Sequence, residues 1–420
     1  MRENRTYGRV AAAVLATAAT LVAGAGTAHA APARGPVTVP AGATVVPGRY
    51  IVTLTPVAGL TAPPSADALT DRYGGRVTYT YRGSALRGFV LSGSADEAAR
   101  LAADPRVARV EADTVMRLDD ARYYPLWNLD MVDQRSTVLD DIYSFPDSAG
   151  TGVHAYVLDT GIRTSHVEFG GRASVGFDAI GDGWNGQDCD ADGHGTHVAG
   201  TIGGATTGLA SRATLVAVRV FDCSAVGVTS QIIAGVDWVT QNAVKPAVAN
   251  MSLGGGKSAT LDAAVSASIA SGVTYTISAG NDNSDACNYS PADVPAAITV
   301  GASNSVYERG TNWGSAIYGS NYGTCLDLFA PGQNILSANN KTDRATKLMT
   351  GTSMAAPHVA GAAALLLALQ PQATPAQVAA TLTGIATTGL LRADNLNRSP
   401  NKLLYVSPTM EAPVEGAQRR

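Results

Sequence analysis

Between residues 154 and 300 short apolar runs alternate with segments of helical periodicity. The runs at 154–158, 215–220, 247–251, 274–278 and 298–300 read as strands, and those at 197–203, 230–241 and 261–271 as helices. Strands that are apolar at successive positions must be covered on both faces. The alternation therefore predicts an α/β fold built on a mostly parallel sheet. The longest apolar stretch, 354–369, contains Pro357, His358 and Gly361 and reads as a buried helix rather than a membrane span.

With 420 residues, 45% of them hydrophobic and 15% charged, the chain has room for a large core and more than one domain. The formal charge of −4 offers no basic patch for nucleic acid. Residues 1–30 combine a basic start, an apolar run and Ala28-His29-Ala30, a small-x-small cleavage pattern. This predicts a signal peptide, a secreted, extracellular product and no membrane association once the leader is removed. Export makes pairing of Cys189, Cys223, Cys287 and Cys325 the expectation, and spacing alone leaves three pairings open.

After a Pro/Ala/Gly linker at 31–45, strands at 48–54, 76–81, 88–91 and 107–111 and helices at 66–73 and 95–103 run in the order βαββαβ. That is the ferredoxin-like pattern of a small α+β domain. Around 116–124 the chain turns charged and loses periodicity, as a cleavable boundary would. The expected division is a leader at 1–30, a small domain at 31–118 with its fold from about 46, a large domain at 119–407 and a loose tail at 408–420.

Four positions carry chemistry. Ser353, in Gly351-Thr352-Ser353-Met354-Ala355, begins the long apolar helix, where free amides and the helix dipole favour an alkoxide and a nearby oxyanion. Asp159 ends an apolar strand before Thr160-Gly161, at a carboxyl end of the sheet. His194 stands between glycines at a helix start, while His197 falls inside the helix as a packed core residue. His154 and His358 occupy structural positions. Asn281, after Ser278-Ala279-Gly280, follows a strand with its amide free to donate. Together they predict acyl transfer: Ser353 attacks, His194 shuttles the proton, Asp159 orients the imidazole and Asn281 stabilises the tetrahedral intermediate. The order Asp, His, Ser and Ala355 in place of a glycine exclude the G-x-S-x-G esterase arrangement. Asp188-x-Asp190-x-Asp192-Gly193 opens like an EF-hand loop, but Ala199 stands where the bidentate Glu belongs, which leaves only a looser calcium loop.

The segments AYVLDTGI (155–162), GHGTHVAG (193–200), NMSLGGG (250–256), SAGN (278–281) and GTSMAAPHVAG (351–361) closely resemble the subtilases, in their proteinase K and aqualysin branch. The resemblance spans about 125–406, and the leading small domain is similar to that family's inhibitor propeptide. It implies a subtilisin-like three-layer fold and a serine endopeptidase with Asp159, His194 and Ser353 as triad and Asn281 as oxyanion donor. It further implies a substrate cleft with Ser252, Leu253, Gly254 and Gly255 along one side. Ser278, Ala279 and Gly280 would floor an S1 pocket free of acids, suited to apolar or aromatic P1 residues. Ala225-Val226-Gly227 replaces the usual Gly-Ser-Gly edge strand and adds bulk near S4. Disulfides Cys189–Cys223 and Cys287–Cys325 are implied, as is structural calcium on the carbonyls of Pro295 and Ala297 and the carboxylate of Asp327. A second calcium site would use Asp130, Asp133, Gln134 and Asp140. The partners implied are protein and peptide substrates and the chain's own propeptide, an intramolecular inhibitor cut near Leu118; the mature enzyme would be a monomer.

Overall fold

The structure is a computed structural model and describes residues 32–40, 45–55, 65–82, 86–114, 121–315 and 317–411. The leader and Leu118 lie outside the described residues. The contacts divide the chain between Arg117 and Leu118 into two compact units.

In the first unit, β1 (Val37–Thr38), β2 (Val45–Leu54), β3 (Arg76–Arg82), β4 (Arg87–Ser92) and β5 (Val107–Thr114) form one sheet in the order β1-β5-β2-β4-β3. Helices α1 (Ala66–Tyr73) and α2 (Ala95–Ala102) complete the βαββαβ order. Each helix starts where a serine caps it: Ser65 accepts from Ala68, and Ser94 exchanges hydrogen bonds with Glu97 in a capping box. Leu69, Ala98 and Leu101 from the helices pack on Val52, Phe89, Leu91 and Val110. One expectation is corrected. The supposed linker contributes β1, because the edge of β5 offers unpaired backbone groups and Val37–Thr38 takes them in parallel register with Val110 and Glu111.

The second unit holds a nine-stranded sheet. Its strands are β6 (His154–Asp159), β7 (Ala173–Asp178), β8 (Thr214–Arg219), β9 (Ala247–Met251), β10 (Thr274–Ser278), β11 (Ile298–Ser303), β12 (Leu328–Pro331), β13 (Thr387–Thr388) and β14 (Lys402–Leu403), ordered β13-β14-β12-β11-β10-β9-β6-β8-β7. All neighbours pair in parallel except β13 with β14. The helices of ten residues or more are α3 (His194–Gly203), α4 (Thr229–Asn242), α5 (Ala259–Ala270), α6 (Thr352–Leu369) and α7 (Pro375–Ile385), and a shorter one spans Trp127–Val132.

Alternate residues of one strand serve opposite faces. Ala155 and Val157 of β6 join Val198 and Ile202 of α3 and Val359, Ala363 and Leu366 of α6 in one core. Tyr156 and Leu158 join Val236 of α4 and Val265 of α5 in the other. The result is a three-layer sandwich, as the continuous apolar strands require. Helix α6 is long and apolar enough to cross a membrane, yet 83% of it is buried inside this unit. Strands β7 and β12 and helix α7 went unread in the sequence: β7 has a glycine mid-strand and no buried residue, β12 is only four residues long, and α7 buries only Val378, Leu382 and Ile385. The expected loose tail is corrected for its start, while 412–420 lie outside the described residues: Met410 is fully buried in the α6 core, and its amide bonds back to Ser407. An apolar side chain at that position gains more by packing than the segment loses by ordering.

Candidate active site

Strand β6 ends at Asp159, and α3 begins at His194. His194 Nδ1 lies 2.7 Å from Asp159 Oδ1, which also accepts the Thr160 amide at 2.8 Å. The approach depends on Gly195, where a Cβ would sit 2.2 Å from the Gly161 carbonyl. Asp159 is buried, and the His194 side chain retains 23% exposure. Burial by itself lowers the histidine pKa, but the charge and hydrogen bond of Asp159, followed by the charges of Asp190 and Asp188, outweigh it and leave the group raised. Three residues along the same helix His197 has the opposite fate. Buried with Nε2 against the Ile335 and Lys347 carbonyls, it is pushed down to about 4. His358 is likewise held near 4 by burial, between Asn128 and the Met354 carbonyl.

The aspartates before His194 do not gather into a cation loop. Asp188 accepts from the Thr160 hydroxyl and from both the amide and the hydroxyl of Thr196. Asp190 accepts the His194 amide at 3.0 Å, and Asp192 pairs with Lys347. The first turn of α3 has no capping side chain at Gly193, so the carboxylates of Asp188 and Asp190 turn inward to satisfy its amides. Thr160 Oγ1 takes the remaining one, from Gly195.

Ser353 sits in the first turn of α6. Pro357, four residues on, has no N–H to donate to the Ser353 carbonyl. The Ser252 hydroxyl fills that position at 2.7 Å, and Ser353 Oγ donates in return to the Ser252 carbonyl at 3.2 Å. This exchange joins the candidate nucleophile to the segment after β9. No hydrogen bond links Ser353 to His194 among the described residues, although both line one cavity of about 250 Å³ with Asp159, Thr160, Ser252 and Asn281. Asn281 Oδ1 accepts from the amide and hydroxyl of Thr352, which fixes the side chain. A Cβ on Gly351 would lie 3.5 Å from Asn281 Nδ2 and 3.7 Å from the Ser353 nitrogen, ordinary contact distances, so the two donors lie beside the same point of the chain. Thr160 and Thr352 were missed as contributors; each stands beside a residue that sequence had singled out.

An adjoining cavity of about 360 Å³ is lined by Leu253, Gly254, Gly255, Ser278, Ala279, Gly280, Asn281 and Ser353. All the residues assigned to the cleft meet here or in the first cavity. The expectation of an acid-free pocket is corrected, since Asp282 also lines it: the turn that brings Asn281 inward carries its neighbour along. Ala225 lines the first cavity with Phe221, in a turn rather than a strand. The Asp222 carboxylate takes the amides of Ser224 and Val226, and Ala225 has φ +56°.

Cys189 is bonded to Cys223 and Cys287 to Cys325. The grouping of Asp182 with Cys189 and Cys223 is not a metal site, because the sulfurs are spent on each other and Asp182 pairs with buried Arg219. Asp327 is partly buried beside β11. Its Oδ2 accepts the Thr299 amide at 2.8 Å, no ion pair reaches it among the described residues, and burial raises its pKa. A partly buried carboxylate with no ion-pair partner, eased only by the Thr299 amide and the charge of Lys402, fits a hard cation, and the carbonyls of Pro295 and Ala297 belong to the segment just before Thr299. In the second acidic group Asp130 is taken up by Gln134 and by the amides of Asp140 and Asp141, while Asp133 Oδ1 is buried and unpartnered.

The fold and this constellation define a serine peptidase of the three-layer α/β type. The chain belongs to the subtilase family, whose model matches residues 150–401, and a peptidase inhibitor I9 domain matches 49–119. It is 51% identical over 380 residues to an extracellular serine proteinase of Thermus sp. (strain Rt41A), covering 86% of this chain and 90% of the relative. An alkaline serine exoprotease A of Vibrio alginolyticus is 46% identical, over 81% of this chain and 62% of its own. The crystal structure of a cold adapted subtilisin-like serine proteinase superposes with a TM-score of 0.62 at 48% identity, covering 67% of this chain and 98% of the other.

Proposed function

We propose that the protein is a secreted serine endopeptidase of broad specificity, made as a self-processed zymogen. The observation that carries this reading is the convergence of Asp159, His194, Ser353 and Asn281, far apart in sequence, around one cavity. In this reading Ser353 Oγ turns from the Ser252 carbonyl to His194, which takes its proton as the oxygen attacks the scissile carbonyl. Asp159 holds the imidazole by Nδ1 and stabilises its charged form. The oxyanion is met by Asn281 Nδ2 and the Ser353 amide, and His194 then returns the proton to the leaving amine. Leu253, Ala279 and Ala292 offer an apolar S1 wall, which suits apolar or aromatic P1 side chains.

The I9-type domain serves as intramolecular inhibitor and folding helper, released by a cut near Leu118. Secretion is supported by the leader pattern and by the extracellular relative. Asp327, with the Pro295 and Ala297 carbonyls, would hold a structural calcium, which would add the direct ion-pair partner that this partly buried carboxylate lacks. The mature form is taken as a monomer.

The test is expression of residues 31–420 as wild type and as Ser353→Ala, followed by size, N-terminal sequence and cleavage of a peptide with phenylalanine at P1. Wild type should shorten near residue 118 and cleave, while the variant stays long and inert. If both stay long, folded and inert, the chain is a silent binding protein and the proposal fails.

A further inference from the structure

We infer that residues 34–38 form a strap that prolongs the life of the inhibitor domain and so delays activity after the chain is cut. The inference rests on the self-processing protease reading above. It gives a regulatory part to a segment that precedes residues 49–119, the span the inhibitor family model matches.

The strap ties helix α2 to strand β5 from outside. On the helix side, Arg34 donates to Asp96 Oδ1 in the first turn of α2, from Nε at 2.8 Å and again from Nη2. At the other end of α2 the Ala103 amide bonds to the Arg100 carbonyl, which leaves the Ala99 carbonyl without its helical donor. The Gly35 amide takes that place at 2.8 Å. A Cβ on Gly35 would lie 2.3 Å from the Ala102 carbonyl oxygen, so any side chain there would push the strap off the last turn of the helix. On the strand side, Val37 and Thr38 pair in parallel with Val110 and Glu111, and Val37 packs against the core that contains Leu101 and Val110.

These contacts weigh heavily because the domain is small, with one layer of two helices on one sheet. The strap also covers the edge of β5 that faces away from β2. Strand β5 ends at Thr114, four residues before the proposed cut at Leu118. Once cut, an inhibitor is destroyed through its open forms, at a rate that follows how often they are populated. By tying α2 and β5 together the strap makes those forms rarer. Arg34 and Asp96 are about half-exposed, so their ion pair is the lesser part and the fit of Gly35 the greater.

The test uses the chain from Ala31 onward, unfolded in denaturant and refolded by dilution, as wild type, Gly35→Leu, Arg34→Glu and Arg34→Lys. Gel electrophoresis times the cut near residue 118, and hydrolysis of a phenylalanine-P1 peptide times the appearance of activity. The interval between the two should shorten about three- to tenfold in Gly35→Leu and about twofold in Arg34→Glu. Arg34→Lys should keep the wild-type interval. All four should reach the same final kcat/KM, because the strap leaves with the inhibitor. If Gly35→Leu does not refold, Arg34→Glu decides alone. An unchanged interval in the variants that refold overturns the inference and leaves the protease reading intact, whereas a wild type that is neither cut nor active overturns both.

Discussion

Helices α3 and α6 both begin on glycine and both carry a proposed catalytic side chain in the first turn, yet their free amides are used in opposite ways. At α3 the amides of His194, Gly195 and Thr196 are all taken, by Asp190, Thr160 and Asp188. At α6 the Thr352 amide is held by Asn281, and the Ser353 amide has no acceptor among the described residues. A helix N-terminus favours negative charge. Where the chain supplies its own carboxylates, the terminus is filled, and the histidine beside them is made more basic. Where none is supplied, the terminus stays open, and in the proposed mechanism it receives the oxyanion of the substrate. On that reading one backbone device serves a proton acceptor in one place and an anion site in the other.

The most drastic way to break the comparison is to remove the side chain each terminus carries. Ser353→Ala and His194→Ala should each lower kcat by at least about 10⁴-fold, and the double variant should lose little more, because the two act as a unit. Steady-state hydrolysis of a phenylalanine-P1 peptide measures it, and additive losses would mean that the two residues act independently.

Next comes the open terminus. Asn281→Leu should cut kcat about 10²–10³-fold with little change in KM, as loss of one oxyanion donor does. A rise in KM at constant kcat would instead assign Asn281 to ground-state binding.

The link between α6 and the segment after β9 can be tested apart from chemistry. In a Ser353→Ala background, Ser252→Ala leaves the Ser353 carbonyl without either its helical partner or the hydroxyl, and should cost about 1–3 kcal/mol in denaturant unfolding. No loss of stability would show that water replaces the hydroxyl without penalty.

The smallest effect sharpens the filled terminus. The charge of Asp190 helps to raise His194, so Asp190→Asn should lower that pKa. Neutral imidazole is the active form, and it would then persist to lower pH. The acid limb of kcat/KM moves to lower pH, the reverse of what a gain in basicity would do. An unmoved limb with reduced activity would make Asp190 a purely structural cap.

Much of this was legible before any coordinates. The core strands β6, β9 and β10 and helix α6 showed themselves because burial on both faces demands continuous apolar residues. Asp159, His194, Asn281 and Ser353 stood out because each lies where an element ends or begins among glycines, and side chains there face the end of the sheet. Strand β1 and the segment up to Met410 stayed hidden, since a two-residue pairing and a single packed methionine leave no period to read.

The sequence by itself determined the layered class, the order of the four reactive residues and the number of cysteines, because these depend on residue type and local spacing. Only the tertiary structure decided how the cysteines pair, that Asp188 and Asp190 cap a helix instead of forming a cation loop, and that the Ser353 carbonyl freed by Pro357 is taken by Ser252, 101 residues away. It alone brought Asp282 to the cavity that Ser353 and Asn281 line. Each of these depends on which distant group satisfies a buried donor, acceptor or charge, and no local pattern encodes that choice.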